Sequence, residues 1–356
     1  MLKKVLIYLL PFVFLFSCER KPLYLLGDAA LRLNIQVEAD INVLWDEHWE
    51  DTLKYDWDEE KYGPIGYTLP ENCNVIMFNE GNIVSQSTIK RGKRQTINAE
   101  LNNTYDILIY SKENFWVNEY YEGGRYYVEA PSAEEQTNSK NEISAKYETV
   151  NQPGEIFAVG KKGIFLSDDI SEYEEIIEDG KPIYVYNIDE SLSPASYIYI
   201  VQFIVINDDN SPMIEAKDIT NFTVSGISNK KNLFSNEAIY TGYKQISTYD
   251  IKPGQQHTDS LIFASRITII DLLPNDKETS WESEIKYLYY TNIDIDTYNY
   301  GEVTGTKNIT KQLKDNPKGG VITIIILNSE LKQGGETGSG FGIDLSEWEE
   351  YRYNVD

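Results

Sequence analysis

Residues that commonly carry chemistry are scarce in this chain of 356 residues, which holds two His, two Cys and three Met. Two Cys cannot supply a multi-Cys zinc module, an iron–sulfur site or a disulfide scaffold. Basic residues are also few, since 32 Lys and Arg face 57 Asp and Glu and leave a net charge of −25. Nucleic acid is bound by clustered positive charge, so we expect no nucleic-acid partner. No catalytic motif stands out, so we expect neither an enzyme nor a cofactor.

One apolar run stands at the N-terminus, from Val5 to Phe16 after two lysines. A membrane-spanning helix needs about 20 such residues, so the run predicts a signal peptide over residues 1–17. Leu15-Phe16-Ser17-Cys18 resembles a bacterial lipobox, although Phe16 is bulkier than the pattern usually has there. We therefore predict that Cys18 carries acyl chains such as palmitate and becomes the mature N-terminus. A simple secretory signal with an incidental Cys is the alternative.

Cys73 is then the only remaining thiol, and it cannot form an internal disulfide. It precedes an apolar run at Val75–Phe78, which predicts a small buried hydrophobic residue.

Apolar residues make up 41% of the chain and aromatics 13%, which is enough to build real cores. Alternation with period two dominates their distribution. Leu31, Leu33, Ile35 and Val37 share one face of a strand predicted at Leu31–Ala39. Shorter strands follow at roughly ten-residue spacing, separated by Asn and Gly turns. They are predicted at Val75–Phe78, Ile83–Ile89, Thr96–Leu101, Tyr105–Tyr110, Arg125–Glu129, Ile156–Val159, Ile183–Ile188, Tyr197–Ile206, Phe222–Ile227, Ser260–Asp271, Lys286–Tyr290, Thr306–Leu313 and Val321–Leu327.

This pattern predicts an all-β protein built from β-sandwiches. Val321–Leu327 is nearly continuously apolar, so we expect a central strand buried on both faces. Short helices are expected only at Ile170–Ile177 and Asn229–Ala238. The acidic stretch Ser167–Gly180 predicts a boundary between an N-terminal domain, 18–170, and a C-terminal domain, 171–356. Polar residues 131–154 predict a long loop within the first domain.

Three tryptophans, Trp45, Trp49 and Trp57, lie in a strongly acidic stretch that also holds His48. The simplest interpretation is an exposed loop whose indoles cover a sandwich edge. Its carboxylates could instead bind a metal ion, but their spacing fits no known loop motif, so we assign no metal. The indoles could also stack on sugar rings. Elsewhere, the basic run Lys90–Arg94 predicts a solvated hairpin tip, with a protease site or an acidic neighbour as alternatives.

Several segments together carry a family resemblance. They are the lipobox, the strand at 31–39, Val75-Ile76-Met77-Phe78-Asn79-Glu80-Gly81, Thr104-Tyr105-Asp106-Ile107-Leu108-Ile109-Tyr110, Ile219-Thr220-Asn221-Phe222-Thr223-Val224-Ser225-Gly226, and Gly338-Ser339-Gly340-Phe341-Gly342-Ile343-Asp344-Leu345-Ser346-Glu347-Trp348. The chain resembles the fimbrillin-like lipoproteins of the type V pilus system. The resemblance implies two tandem transthyretin-like β-sandwich domains, attachment to the outer membrane, and a non-enzymatic role in a fimbrium as subunit, anchor or tip.

The same resemblance implies assembly with other fimbrial subunits by strand addition. Stalk subunits of such pili lose an N-terminal strand to an Arg-directed protease. Arg occurs here at positions 20 and 32 and next at 91, so none lies between the strand at Leu31–Ala39 and Lys90. An Arg-directed protease therefore finds no site just after this strand, and cleavage at Arg32 would fall inside it. We therefore predict that this strand and the lipid stay in place, as in an anchor or accessory subunit. The alternating residues Tyr351, Tyr353 and Val355 predict a last strand, which pairs either within the same chain or with a neighbouring subunit.

A second hypothesis is a surface protein that binds glycans through exposed Trp and Tyr side chains. Its candidate contacts are Trp45, Trp49, Trp57 and Trp116.

Overall fold

The computed structural model describes residues 29–37, 52–111, 117–133, 147–169, 171, 173–178, 181–210, 214, 216–273, 282–294 and 299–331. The strands are β1 (Ala29–Val37), β2 (Asn72–Asn79), β3 (Asn82–Lys90), β4 (Arg94–Ala99), β5 (Asn103–Ser111), β6 (Asn118–Glu122), β7 (Arg125–Glu129), β8 (Glu148–Val150), β9 (Phe157–Leu166), β10 (Glu174–Glu178), β11 (Lys181–Pro194), β12 (Tyr197–Ile206), β13 (Asp218–Ser228), β14 (Lys230–Asn232), β15 (Glu237–Ile239), β16 (Lys244–Thr248), β17 (Lys252–Gln256), β18 (Ser260–Ile269), β19 (Asp271–Leu272), β20 (Glu284–Asp294), β21 (Asn299–Asn308) and β22 (Gly320–Leu327). The helices are α1 (Glu59–Tyr62), α2 (Thr310–Asp315) and α3 (Asn328–Leu331). The predicted all-β class is confirmed.

The first sheet has the strand order β3-β2-β5-β9-β11-β1-β4, with β10 paired to β11. Its two end strands, β3 and β4, are joined by a tight turn in which the Lys93 amide donates to the Lys90 carbonyl. The sheet therefore curls until its ends approach each other. The basic run at Lys90–Arg94 was predicted as a hairpin tip. It instead connects two strands that pair with β2 and β1 rather than with one another.

A hydrophobic core fills the inside of this curled sheet, and the predicted burial of Cys73 is confirmed. Val75 and Met77 of β2 and Ile107 and Ile109 of β5 point into it, as their alternation requires. The same core extends onto one face of the second sheet, whose strand order is β17-β18-β12-β22. One continuous apolar interior therefore connects the two sheets.

β12 is buried on both faces, which explains why its sequence is apolar apart from Gln202. Ile198 and Ile200 face the core shared with the first sheet. Val201 and Phe203 face a second core, formed with the third sheet of order β21-β20-β13-β16-β8, with β19 paired to β13. The Phe203 ring lies 5.3 Å from that of Phe222 on β13. The second and third sheets thus pack face to face as a sandwich.

A small sheet of order β15-β14-β7-β6 joins residues far apart in sequence and carries a buried lysine. The Lys231 ammonium, fully buried, lies 2.8 Å from the Asp271 carboxylate. It also donates to the Ala195 carbonyl at 3.1 Å and the Tyr197 hydroxyl at 3.3 Å. Burial lowers the pKa of Lys231, while Asp271 acts in the opposite direction. Three acceptors satisfy the three ammonium donors, which is what allows this charge inside the protein.

Three further local predictions were wrong. Residues 174–178 form β10 rather than a helix, because they pair antiparallel with β11. Residues 230–239 form the β14–β15 hairpin, since the Asn232 side chain accepts from the Phe234 amide and Asn236 adopts a φ of 55°. The strand predicted at Thr306–Leu313 ends at Asn308, whose side chain accepts from the Thr310 amide where α2 begins.

β22 is a strand with buried faces, as predicted, but among the described strands it lies at a sheet edge rather than at the centre. α2 covers part of that edge. The Gln312 side chain accepts from the Thr323 amide at 2.8 Å and donates to the Thr323 carbonyl at 2.9 Å. One side-chain amide thus takes the place of a neighbouring strand at this position.

β10 and β11 follow the predicted domain boundary at residue 170, yet they belong to the first sheet. The division into domains at 18–170 and 171–356 stays a prediction.

Candidate functional site

β1, which contains four of the predicted assembly residues, lies inside the first sheet with a strand on each side. It pairs parallel with β11 from Ala29 opposite Tyr184 to Val37 opposite Leu192. On its other side it pairs antiparallel with β4, from Ala29 opposite Ala99 to Asn34 opposite Arg94. The backbone positions of Leu31, Leu33, Ile35 and Val37 are all part of the parallel ladder.

Arg32 is the residue at which a processing protease would act. It lies opposite Asn187 on β11 and Thr96 on β4, and Leu33 is paired on both sides as well. The peptide bond after Arg32 is therefore enclosed between two ladders. A protease needs an extended and accessible backbone, so this bond is protected while β1 remains in the sheet.

A second N-terminal segment, residues 52–57, crosses the second sheet, and we call it the strap. It is held through glutamine side chains. Gln202 of β12 accepts from the Lys54 amide at 2.8 Å and donates to the Thr52 carbonyl at 2.9 Å. Gln255 of β17 accepts from the Asp56 amide at 2.8 Å and donates to the Asp56 carbonyl at 2.7 Å. These amides bind the backbone at residues 52, 54 and 56, as a neighbouring strand would.

Aromatic side chains secure the strap and the residues that follow it. Tyr55 is 3% exposed, and its hydroxyl donates to the Pro253 carbonyl at 3.0 Å. Further along, the Tyr67 hydroxyl donates to the Ser196 carbonyl at 3.0 Å. Burial raises the pKa of both phenols well above the ordinary value. Both side chains therefore stay neutral hydrogen-bond donors at physiological pH.

A surface groove of about 260 Å³ opens beside the strap, where three distant parts of the chain meet. Its lining residues are Trp57, Tyr62, Pro64, Thr68, Glu155, Asp250, Lys252 and Arg266. The indole of Trp57 is half-buried, and its Nε1 donates to the Gly63 carbonyl at 3.0 Å. Trp57 and Tyr62 meet edge to face, with ring centroids 5.7 Å apart.

The charges in the groove are paired. Arg266 lies 2.5 Å from Glu155 and also donates to the Ile65 and Gly66 carbonyls. Lys252 lies 2.6 Å from the exposed Asp250 carboxylate. Its ammonium is 5.7 Å from the Trp57 ring centroid and 5.3 Å from that of Tyr62, which lies within the range of cation–π attraction. The groove therefore offers hydrogen-bond donors, acceptors and aromatic edges with little net charge.

Trp57 is the one predicted glycan-contact residue that the structure describes. As the last residue of the strap it packs against the core, and its remaining surface lines the groove. Cys18, Trp45, Trp49, Trp116, Tyr351, Tyr353 and Val355 lie outside the described residues.

Sequence reasoning missed the glutamines that hold the strap and the residues that complete the groove. Gln202 gave one signal, since it is the only polar residue in Tyr197–Ile206. A polar side chain inside a two-faced apolar strand must find partners, but only the folded chain shows which.

Among the described residues, no group of three or more His, Cys, Asp and Glu side chains could hold a metal ion. None of the helices in that part of the chain is long and apolar enough to cross a membrane.

No protein-family model and no curated protein matches the chain. Solved structures do. The chain is similar to a candidate adhesin from Bacteroides ovatus, at 10% identity and a TM-score of 0.47, over 87% of this chain and 96% of that one. A candidate adhesin from Bacteroides thetaiotaomicron matches at 10% identity and a TM-score of 0.46, over 86% and 92%. The fimbrial anchor protein Mfa2 from Porphyromonas gingivalis matches at 11% identity and a TM-score of 0.40, over 84% and 90%.

Proposed function

We propose that the chain is a non-enzymatic surface lipoprotein of the outer membrane that serves as an anchor or accessory subunit of a fimbrium and contributes to adhesion. Its lipid would be attached at Cys18, and its partners would be other fimbrial subunits joined by strand addition. The lipobox supports the proposed location at the outer membrane, and the resemblance to fimbrillin-like lipoproteins supports the proposed class of protein.

The position of β1 carries the choice of anchor over stalk. Removing β1 would leave the backbone edges of β11 and β4 unpaired and would open the core of the first sheet. Each unsatisfied buried backbone group costs about 1–3 kcal/mol. A chain that keeps β1 also keeps the covalent link between the lipid and the folded body.

The N-terminus of protein purified from the cell surface tests this proposal. We expect an acylated Cys18, detected by mass spectrometry, and retention in the detergent phase. Cys18→Ala should release the protein or block its maturation. Arg32→Lys serves as the control and should leave the N-terminus unchanged. A mature chain that begins at Leu33 would show a processed stalk or tip subunit instead.

Saccharide binding is a second candidate function, and the groove beside the strap favours it. Aromatic rings there adjoin two ion pairs that present donors and acceptors at fixed positions, as sugar hydroxyls require. Affinity electrophoresis in gels that contain soluble host glycans such as mucin tests this function. Retardation should be lost in Asp250→Ala and Tyr62→Ala and kept in Tyr249→Ala, an exposed tyrosine outside the groove lining. Equal migration with and without glycan would remove this candidate.

A further inference from the structure

Two parallel strand pairs lie along the path between the two ends of the described chain. β1, the first described strand, pairs parallel with β11 over nine register positions. β22, the last described strand, pairs parallel with β12 over the eight positions from Tyr199 opposite Gly320 to Ile206 opposite Leu327. β11 and β12 follow each other directly, since only Ala195 and Ser196 separate them.

Tension applied to residues before Ala29 would load β1 at its N-terminal end. β11 passes that load onward from its C-terminal end, at Pro194, because the chain continues from there into β12. In a parallel pair these two ends lie at opposite ends of the ladder. The strands are then pulled past each other along their length, and the whole ladder carries the force at once rather than one bond at a time.

The second pair has the same geometry. Load enters β12 at Tyr197, its N-terminal end, and tension on residues after Leu331 enters β22 at its C-terminal end, Leu327. Ile206 rather than Tyr199 lies opposite Leu327, so the two loaded ends are again at opposite ends of the ladder. Both parallel ladders are therefore sheared by a pull between the N-terminal and C-terminal sides of the described chain.

The junction between the two ladders is held by buried hydrogen bonds. The Ala195 amide donates to the Ile156 carbonyl at 2.7 Å, and the Ala195 carbonyl accepts from Lys231. The Ser196 hydroxyl accepts from the Ile156 amide and donates to the Gly154 carbonyl, while the Ser196 carbonyl accepts from Tyr67. Ser196 is fully buried. The connection that passes force from β11 to β12 is thus fixed to the surrounding sheets.

We propose that the chain transmits mechanical tension, with the β1–β11 and β12–β22 ladders acting in series as two shear-loaded joints. The importance of this property rests on the proposed function, since a lipid-anchored fimbrial protein is pulled between its lipid and whatever its outer part holds. The mechanical property itself follows from the register and the connectivity. Rupture under force reports the unfolding barrier, so equilibrium stability alone does not determine it.

Single-molecule force spectroscopy tests the proposal on the chain from Cys18 to Asp356, made without acylation. The Cys18 thiol serves as one handle, because Cys73 is fully buried. The shear geometry places the second handle at Asp356. The peeling geometry places it at Glu100→Cys, an exposed position next to Ala99, which lies directly opposite Ala29. There β1 and β4 are loaded from the same end, and their ladder opens one pair at a time.

We expect the rupture force in the shear geometry to exceed that in the peeling geometry severalfold at the same loading rate. Equal forces in both geometries would overturn the proposal. Glu100→Cys alters one exposed side chain, so circular dichroism and the urea midpoint of that variant should match those of the parent chain. Neither of the two force measurements involves the lipid. A low shear force would therefore leave the fimbrial anchor proposal standing, whereas a mature chain that begins at Leu33 would remove the anchor proposal without changing the forces measured on the chain from Cys18.

Discussion

β1 and the strap are both held in the molecule by backbone hydrogen bonds, but their partners differ. β1 pairs with the backbones of two neighbouring strands. The strap pairs with the side-chain amides of Gln202 and Gln255, and Tyr55 anchors it. A ladder made of peptide groups depends little on side-chain identity, whereas the strap depends on a few individual residues. The attachment of the strap can therefore be removed by point substitution, while that of β1 requires a change in the backbone.

The largest effect is expected from Tyr55→Ala, which removes the buried ring of the strap. Truncation of a buried aromatic side chain costs about 3–5 kcal/mol in the free energy of unfolding. Tyr55→Phe keeps the ring and loses only the hydrogen bond to the Pro253 carbonyl, so its cost should be about 0.5–1.5 kcal/mol. Urea unfolding with comparison of midpoints and m-values measures both. Equal costs for the two variants would mean that the ring does not anchor the strap.

The next effect should come from Asn34→Pro in β1. Asn34 is paired with Asp189 on β11 and with Arg94 on β4, and proline removes one donor from the ladder. We expect a loss of about 1–3 kcal/mol in the free energy of unfolding. Asn34→Ala keeps the backbone donor and should change that free energy by less than about 0.5 kcal/mol. A comparable loss in both variants would show that side chains rather than the ladder hold β1.

A smaller effect should follow from Gln255→Ala, which frees the Asp56 amide and carbonyl. This part of the strap is exposed and water can replace the lost amide, so we expect about 0.5–1.5 kcal/mol. Gln256→Ala is the matched control, since that side chain bonds only to the nearby His257 and Ser260 carbonyls. Hydrogen exchange at the Asp56 amide should rise in the first variant alone. Equal protection in both variants would contradict the proposed role of Gln255.

The smallest effect on the strap should appear at alkaline pH. Because burial raises the pKa of Tyr55 and Tyr67 in the folded state, their contribution to stability is complete below the ordinary tyrosine pKa of about 10. That contribution declines as the pH rises above this value, because the unfolded chain then releases protons that the folded chain retains. Ladders of peptide groups do not titrate in this range. Proteolysis above pH 10 should therefore cut within residues 52–68 before it reaches β1, and the reverse order would contradict this.

Much of the fold was predictable because alternation is a local signal. The strand predicted at Tyr197–Ile206 matches β12 residue for residue, and Arg125–Glu129 matches β7. Errors arose where a non-local partner decided the outcome. Glu174–Glu178 has an acidic sequence that is compatible with a helical turn, but β11 offers a free edge that converts it into a strand. The position of β22 within its sheet likewise depends on which strands surround it.

The site was less predictable than the fold. Trp57 was predictable as a candidate because it is an aromatic residue in a polar stretch. The groove that it lines also needs Lys252 and Arg266, which lie about two hundred positions away in the sequence. Gln255 stands in no sequence pattern, and the lone Gln202 in an apolar strand indicates that it needs a partner but not which one, because one side-chain amide can replace a backbone partner wherever the fold brings it near. Predictions that depend on such distant contacts require the three-dimensional structure.

The contact between Gln312 and Thr323 also bears on how the newly made protein avoids aggregation. The run Val321–Leu327 is β-branched, uncharged and free of proline, which is the composition that forms intermolecular sheets most readily. Gln312 precedes this run in the sequence. A chain that is synthesised from its N-terminus therefore presents the Gln312 side-chain amide before the aggregation-prone strand β22. Thr323 in this run can then bind Gln312 of the same molecule, only eleven residues away in sequence, before the run contacts another copy of the chain. An order of synthesis that favours intramolecular closure would protect the chain while its folding is still incomplete.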